Sequence, residues 1–290
     1  MREDSKDNKG KEICKIHISK FVAYADQPFK VIFDEFMNEL AESIRQNGVL
    51  TPVIARPIEE DLYEIIAGHR RIEACKLARV IKIPTIVRCL DDDTAAIMLV
   101  DSNLQRERIL PSEKARAYKL KLDALKNQGK RADLTSSQFG TKLRADEKVA
   151  SDAGESRNQI HRFIRLNNLV DQLLDLVDEG SIPINAAVEL SYLGTKAQAD
   201  VADIIFRDEM PVSLKQASRI RSLSKDGKIS FGVIEAILTE EPPEKLNITL
   251  GENRLRRYFP VEYSKKQIES IVMKLIKKWH EENRREIVTE

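Results

Sequence analysis

The sequence predicts an α+β protein, with an N-terminal α/β domain, a central all-α domain and a small C-terminal βα unit. Three observations predict it. Short β-rich runs alternate with helical stretches from Ile13 to about Glu107. Strand signals nearly vanish after Arg106, where one helical segment follows another to about Leu238. A break at Glu240 to Pro243 then leads into an alternating run and one long amphipathic segment. At 290 residues and 42% hydrophobic content the chain exceeds one average domain and supports more than one modest core. The boundaries expected are a flexible arm at 1–12, the α/β domain at 13–107, the helical domain at 108–238 and the βα unit at 244–290.

Residues Met1 to Glu12 are charged and aperiodic, with too little apolar surface to offset ordering, and read as a flexible arm. Ile16 and Ile18 alternate as in a strand. A helix is expected from about Asp34 to Asn47, ended by Gly48 as a C-terminal cap, then a β-rich run over Val49 to Arg56. A turn around Glu59 to Asp61 precedes a strand at Leu62 to Ile66 and a helix opening at Gly68. Another strand is expected at Thr85 to Cys89, after Pro84, and a helix from near Asp93.

Arg106 to Arg131 is rich in Lys and Arg and poor in carboxylates, a pattern that fits a phosphate-facing surface and equally a solvated helix face. Gly, Ser, Thr and Asp between Gln128 and Gly140 mark a loop. Beyond Pro243, Leu246 to Leu250 alternates like a strand, and a helix is expected from Ser264 to about Arg285. Its Ile268, Ile271, Val272, Leu275, Ile276 and Trp279 share one face. So small a unit cannot bury that face alone. A second copy of the chain is the preferred cover, and packing on the preceding helical domain is the alternative.

The formal net charge of +1 excludes a protein that is basic throughout, so any contact with nucleic-acid phosphates must come from local clustering. Cys14, Cys75 and Cys89 lack the close spacing of a zinc site or a disulfide framework, which fits a reducing cytosol. No apolar run approaches the roughly 20 residues that span a bilayer, and the first residues lack the apolar core of a secretion signal. The expectation is a cytoplasmic protein without membrane contact.

Asp146 to Leu169 carries the pattern of a helix-turn-helix. Val149 and Ala150 lie on a first helix, where the small alanine permits close approach, and Gly154 supplies the left-handed turn. Ser156 is placed to cap a second helix whose first exposed side chains are Arg157, Asn158 and Gln159, residue types that pair with base edges. Ile160, Phe163, Ile164 and Leu166 form its buried side, while His161, Arg162 and Arg165 are candidates for backbone phosphates. On periodicity alone a structural helical hairpin has the same pattern.

In the first domain three stretches stand out: Asp26 to Lys30 (DQPFK), Gly68 to Arg71 (GHRR) and Ser102 to Arg106 (SNLQR). Gly68 follows a strand and opens a helix, so backbone amides there face outward to an anion, with Arg70 and Arg71 as added donors. A two-arginine helix start is by itself usually a solvated surface.

The three stretches, in this order and ahead of a helix-turn-helix, resemble the ParB family of chromosome and plasmid partition proteins, over about Ile13 to Leu238. The resemblance implies a ParB/sulfiredoxin-like first domain acting as a CTP-binding clamp. GHRR resembles the family's GxRR phosphate motif, implying that Gly68, His69, Arg70 and Arg71 surround the triphosphate. SNLQR resembles ENxQR, implying Asn103, Gln105 and Arg106 at the nucleotide and Asn103 as a magnesium ligand. DQPFK resembles the QPR segment, implying Gln27 and Lys30, and SRNQIHRFIRL looks like the recognition helix SRxxIxxxxRL.

Two departures count. Ser102 stands where the family has the acidic magnesium ligand, leaving Asn103 and neighbouring Asp101, which makes hydrolysis less secure than binding. Phe29 replaces the arginine of QPR, so Lys30 would supply the charge. The resemblance further implies double-stranded DNA and a second copy as partners, a ParA-type ATPase as another, and a nucleoid- or plasmid-associated place in the cell. Two rivals are kept: a helix-turn-helix regulator without nucleotide switching, and a ParB-like nuclease or phosphotransferase. A sulfiredoxin-type thiol would fall at Gly68, where there is no cysteine.

Overall fold

Alternating apolar residues in short runs build a mixed six-stranded sheet in the first part of the chain. The computed structural model describes residues 5–6, 12–59, 61–106, 108–135, 144–208, 210–240, 258–260 and 262–283. The strands are β1 (Ser5–Lys6), β2 (Glu12–His17), β3 (Phe21–Val22), β4 (Val53–Glu59), β5 (Leu62–Ala67) and β6 (Lys82–Val87), in the order β1-β2-β6-β4-β5-β3. The pairs β1/β2, β2/β6 and β4/β5 are antiparallel, while β4/β6 and β3/β5 are parallel.

Helices α1 (Glu35–Asn47) and α2 (His69–Ala78) cover one face of the sheet, with Met37, Ala41, Ile44, Ile72 and Cys75 packed on Val53, Ile65 and Ile83. Helices α3 (Asp92–Asn103) and α4 (Pro111–Thr135) supply Leu99, Val100 and Ala117 to a second cluster with Ile66 and Phe29. Ile65 and Ile66 serve opposite clusters because consecutive strand residues point to opposite faces. Each such aliphatic side chain, fully buried, contributes about 1.5–3 kcal/mol.

Several expected boundaries move for identifiable reasons. Within the stretch read as a flexible arm, Ser5 and Lys6 form an edge strand on Ile13 and Glu12, since backbone pairing needs no apolar side chains. The sixth strand begins before Pro84 rather than after it. Pro84 pairs with Lys15 on β2, but β4 joins only from Thr85, so the missing amide falls where β6 has one neighbour. The run expected at Val49 to Arg56 forms a strand only from Val53.

The loop expected at Gln128 to Gly140 is helix as far as Thr135. Asn127 Nδ2 donates to Asp93 Oδ1 at 3.2 Å and Gln128 Nε2 to Thr94 Oγ1 at 3.2 Å, and these bonds to α3 carry α4 across Gly129. A Cβ at Gly129 meets nothing within 4 Å. Gly129→Ala is therefore expected to stabilise the protein by about 0.5–1 kcal/mol, read as a raised denaturation midpoint.

The remaining helices of the first unit are α5 (Ala145–Ala153), α6 (Arg157–Leu166), α7 (Asp171–Asp178), α8 (Ile184–Leu190), α9 (Thr195–Asp208), α10 (Leu214–Lys225) and α11 (Phe231–Leu238). They share one core, with Tyr118 and Leu122 of α4, Val149, Ile160, Phe163, Leu166, Val201 and Ile234 among its buried members.

The chain divides into two units, Met1–Glu240 and Glu241–Glu290. In the second, α12 (Lys265–Glu282) starts at Ser264, whose hydroxyl accepts from Gln267 N. Met273, Leu275, Ile276 and Trp279 are each more than half exposed along it. The strand expected at Leu246 to Leu250 lies outside the described residues. No helix among the described residues is long and apolar enough to cross a membrane.

Candidate functional site

Two groups of polar side chains emerge from this frame, one on the sheet domain and one on the helical domain. The first centres on the start of α2. Gly68 ends the strand run with φ 109° and ψ 22°, a left-handed conformation, and a Cβ there would lie 3.0 Å from Val53 Cγ2. The first helical bond runs from Ile72 N to Gly68 O, and no side chain caps the helix. The amides of His69, Arg70 and Arg71 thus start the helix without intrahelical acceptors, where the helix dipole favours an anion.

The side chains beside this turn supply the independent sign of a ligand. His69 is 6% exposed, and its Nε2, like Arg70 Nε, is buried with no hydrogen-bond partner among the described residues. Native interiors rarely leave such groups unmet. Arg106 lies close enough to act on both, and its guanidinium sits 5.3 Å over the Phe29 ring. Phe29 is core and a platform for Arg106, not a lost phosphate ligand, and Lys30 carries its charge at the surface.

Glu113 closes this corner. Its carboxylate accepts from Lys30 N at 2.8 Å and from Leu110 N at 3.1 Å, holding the DQPFK loop to the start of α4. Nothing in the local sequence marked it, because both bonds depend on the folded chain.

Other residues of the three stretches face elsewhere. Arg71 Nη1 donates to Thr51 O at 2.6 Å and Pro52 O at 2.7 Å, so this arginine braces the loop before β4. Gln27 lines a cleft of about 450 Å³ with Arg116, Lys119, Asp123 and Asn167, and both polar atoms of its amide are buried without partners among the described residues. Gln105 lines a separate 350 Å³ cavity with Asp101, Tyr118 and Glu155.

The fit to magnesium is poor. Asn103 spends its amide nitrogen on Leu99 O at 2.7 Å and on Ser102 Oγ at 3.2 Å, leaving one neutral oxygen. Asp101, the other oxygen ligand considered, is paired with Lys121 at 2.5 Å. No group of three His, Cys, Asp or Glu side chains able to hold a metal ion stands together among the described residues. The residues suit a polyphosphate and do not build a metal site.

Burial, then the nearby Arg106 guanidinium, pushes the His69 imidazole down to about 4. The unfolded chain takes up this proton near pH 6.5 and the folded chain does not, so stability is lost as pH falls from about 6.5 towards 4. The loss attributable to His69 is about 3 kcal/mol at the acid end. Urea denaturation of the protein and of His69→Gln at pH 7 and pH 4.5 checks this: the variant should lose less stability on acidification. Burial also raises the thiol of Cys75 to about 11, in keeping with a side chain packed in the core beneath α2.

The second group is the helix-turn-helix. Gly154 takes φ 66° and ψ 23° at the end of α5, and Ser156 Oγ accepts from Gln159 N at 3.2 Å to start α6. Ile160, Phe163 and Leu166 are buried, with Phe163 edge-on to Tyr118 at 5.8 Å between ring centroids. Ser156, Arg157, Asn158, Gln159, His161 and Arg162 are exposed on the opposite side. Arg157 pairs with Glu147 at 2.9 Å, and His161 Nε2 lies 3.3 Å from Asp146 Oδ2.

Arg165 is less available than expected. It donates from Nε to Ser191 Oγ and from Nη2 to Ser191 O, both at 3.1 Å, and lies 3.9 Å over Tyr192. Arg221 lies over the same ring at 3.6 Å. Lys119, Asn158, His161, Arg162, Arg165 and Tyr192 line a cleft of about 530 Å³. Lys119, Tyr192 and Arg221 come from other helices, or the turns after them, and only Lys119 lay in a stretch whose charge had drawn notice.

A family model described as ParB N-terminal domain matches residues 2–104. The chain is 36% identical over 178 residues to the probable chromosome 1-partitioning protein ParB of Deinococcus radiodurans, covering 61% of this chain and 55% of that one. It is 30% identical to the probable chromosome-partitioning protein ParB of Vibrio cholerae, over 83% of this chain and 79% of that one. It is 29% identical to a nucleoid occlusion protein of Listeria monocytogenes, over 81% and 84%. Among solved structures, a C-terminally truncated ParB of Caulobacter crescentus complexed to the centromeric parS site matches at 22% identity and a TM-score of 0.43, over 73% of this chain and 98% of that one.

Proposed function

Because the chain belongs to the ParB family of chromosome-partitioning proteins, we propose that it binds a specific double-stranded DNA site through α6 and is switched by CTP held at the start of α2. The observation that carries the DNA reading is the exposed edge of α6. Ser156 caps it, Ile160 and Phe163 fix its underside, and Arg157, Asn158 and Gln159 stand outward where they can pair with base edges in a major groove. His161, Arg162 and Lys119 serve phosphates beside them, and the Arg165–Tyr192–Arg221 stack holds the wall of the cleft.

Nucleotide binding rests on the buried, unmet nitrogens of His69 and Arg70 beside an uncapped helix start. Oxygens of a triphosphate would satisfy them, with Arg106 adding charge. Lys30 flanks the site from the DQPFK loop, while Gln27 of the same loop faces the separate cleft beside Arg116 and Lys119. With no carboxylate at 102 and Asp101 on Lys121, we assign the chain no hydrolytic step. A second copy covers the apolar side of α12 at Leu275, Ile276 and Trp279, giving the two-fold reader that a palindromic site requires.

A second reading keeps the DNA function and drops the switch, and the turning of Arg71 and Asp101 away from the nucleotide favours it. Selection of a preferred site from random duplexes, followed by titration of CTP, separates the two. A selected site with no CTP binding supports the plain regulator, while no preferred site removes both.

A further inference from the structure

One lysine of α4 has no surface to reach. Lys121 is 0% exposed, and its ammonium lies 2.5 Å from Asp101 Oδ1 and 2.6 Å from Asp152 Oδ2. Its neighbours Leu122 and Leu125 belong to the apolar core, and an aliphatic side chain would suit the position without desolvating a charge. A buried ion pair is seldom more stabilising than such a replacement. The use of this charge therefore lies in what it joins.

Asp101 is in the last turn of α3, directly before Ser102 and Asn103 and five residues before Arg106. Asp152 is in the last turn of α5, two residues before Gly154, where the helix-turn-helix turns. Lys114, two turns earlier on α4, holds Glu155 of that same turn at 2.8 Å. The end of α3 and the turn of the DNA reader are thus tied to one helix and, at Lys121, to one atom.

The tie is built to open from one side. Asp101 and Asp152 side chains are 47% and 39% exposed, so either carboxylate is hydrated when it leaves, whereas Lys121 is not. Both border the 350 Å³ cavity with Gln105 and Tyr118, which gives the acidic side chains room to move. A buried ammonium that keeps one partner and exchanges the other has two discrete arrangements, the kind of element through which two sites bias each other.

We propose that Lys121 is a positioning residue that couples the nucleotide end of α3 to the helix-turn-helix, by holding Asp101 and Asp152 together in one state and releasing Asp101 in the other. This rests on the nucleotide and DNA readings above. A ligand that engages Asn103 or Arg106 acts on the turn that carries Asp101. The orientation of α5 and α6 responds through Lys121.

The test measures the affinity of the full chain for its selected DNA site, with and without saturating CTP, in the wild type, Lys121→Met and Asp101→Asn. The wild-type ratio is expected to be about tenfold, within the usual range of such couplings. In Lys121→Met it should approach one, with CTP affinity and Tm little changed, because the exposed carboxylates are hydrated and the methionine fills the site. Asp101→Asn should lower the ratio to a similar extent, and the double variant no further. A wild-type ratio in Lys121→Met overturns the proposal. If that variant does not fold, an unaltered ratio in Asp101→Asn overturns it instead. A wild-type protein that binds no CTP overturns the nucleotide reading and the coupling together. Coupling in the wild type that survives both substitutions overturns the coupling through Lys121 alone.

Discussion

Arg70→Ala is expected to weaken CTP binding by about 30- to 100-fold. The guanidinium has a buried Nε without a partner among the described residues and stands beside the uncapped start of α2. Charge-assisted bonds to phosphate contribute about 2–3 kcal/mol in such a setting, and each 1.4 kcal/mol is tenfold in affinity. Its ion pair to Asp34 at 3.3 Å joins side chains that are each 37% exposed, so removing it costs the fold little. Arg71→Ala should act differently. It removes the bonds to Thr51 O and Pro52 O and should lower stability more than intrinsic nucleotide affinity. Calorimetric titration of CTP into both variants, beside their denaturation curves, distinguishes the two arginines. Equal losses of CTP affinity with unchanged stability would contradict the assignment.

Arg157→Ala is expected to lower affinity for the selected DNA site by about 10- to 100-fold while barely altering affinity for unrelated duplex. A bidentate contact to a base edge discriminates by about 1–3 kcal/mol. Arg157 is held towards solvent by Glu147, so the folded helix loses no core contact when it is shortened. Arg162→Ala should instead weaken binding to all duplexes alike and reduce the salt slope by about one, as a phosphate contact does. Fluorescence anisotropy with specific and scrambled duplexes over a salt series reads both effects. A uniform loss in Arg157→Ala would place that residue on the backbone and leave the reading of bases to Asn158 and Gln159.

What was legible in the sequence is what depends on near neighbours. Gly154 and Ser156 each act within a few residues of themselves, so turn and cap were found where the structure has them. The start of α2 at Gly68 was legible for the same reason, with one addition: only the fold reveals that Val53 leaves no room for a Cβ there. Periodicity located the helices, and their ends where a local cap marks them, as at Gly48 and Ser264. Gly129 reads as a break, yet α4 passes through it because Asn127 and Gln128 bond to α3.

Long-range commitments were not legible. Arg71 and Arg165 have the type and position of phosphate ligands, whereas Thr51, Pro52, Ser191 and Tyr192 occupy them in the fold. Glu113 carries no local mark, and its importance lies in two amides, one of them 83 residues away. Lys121 was one lysine in a basic run that fitted a solvated face as well as a phosphate-facing one. It is fully buried between two carboxylates, and neither pattern nor charge count announces that.

The central claim, a DNA-site reader whose grip depends on a bound nucleotide, is tested most directly by the affinity of the protein for CTP with and without its selected DNA site. CTP should bind, and site DNA should change its affinity by the same factor by which CTP changes the affinity for DNA, since coupling between binding sites is reciprocal. Absence of CTP binding at millimolar concentration, or binding that site DNA leaves unaltered, would contradict it.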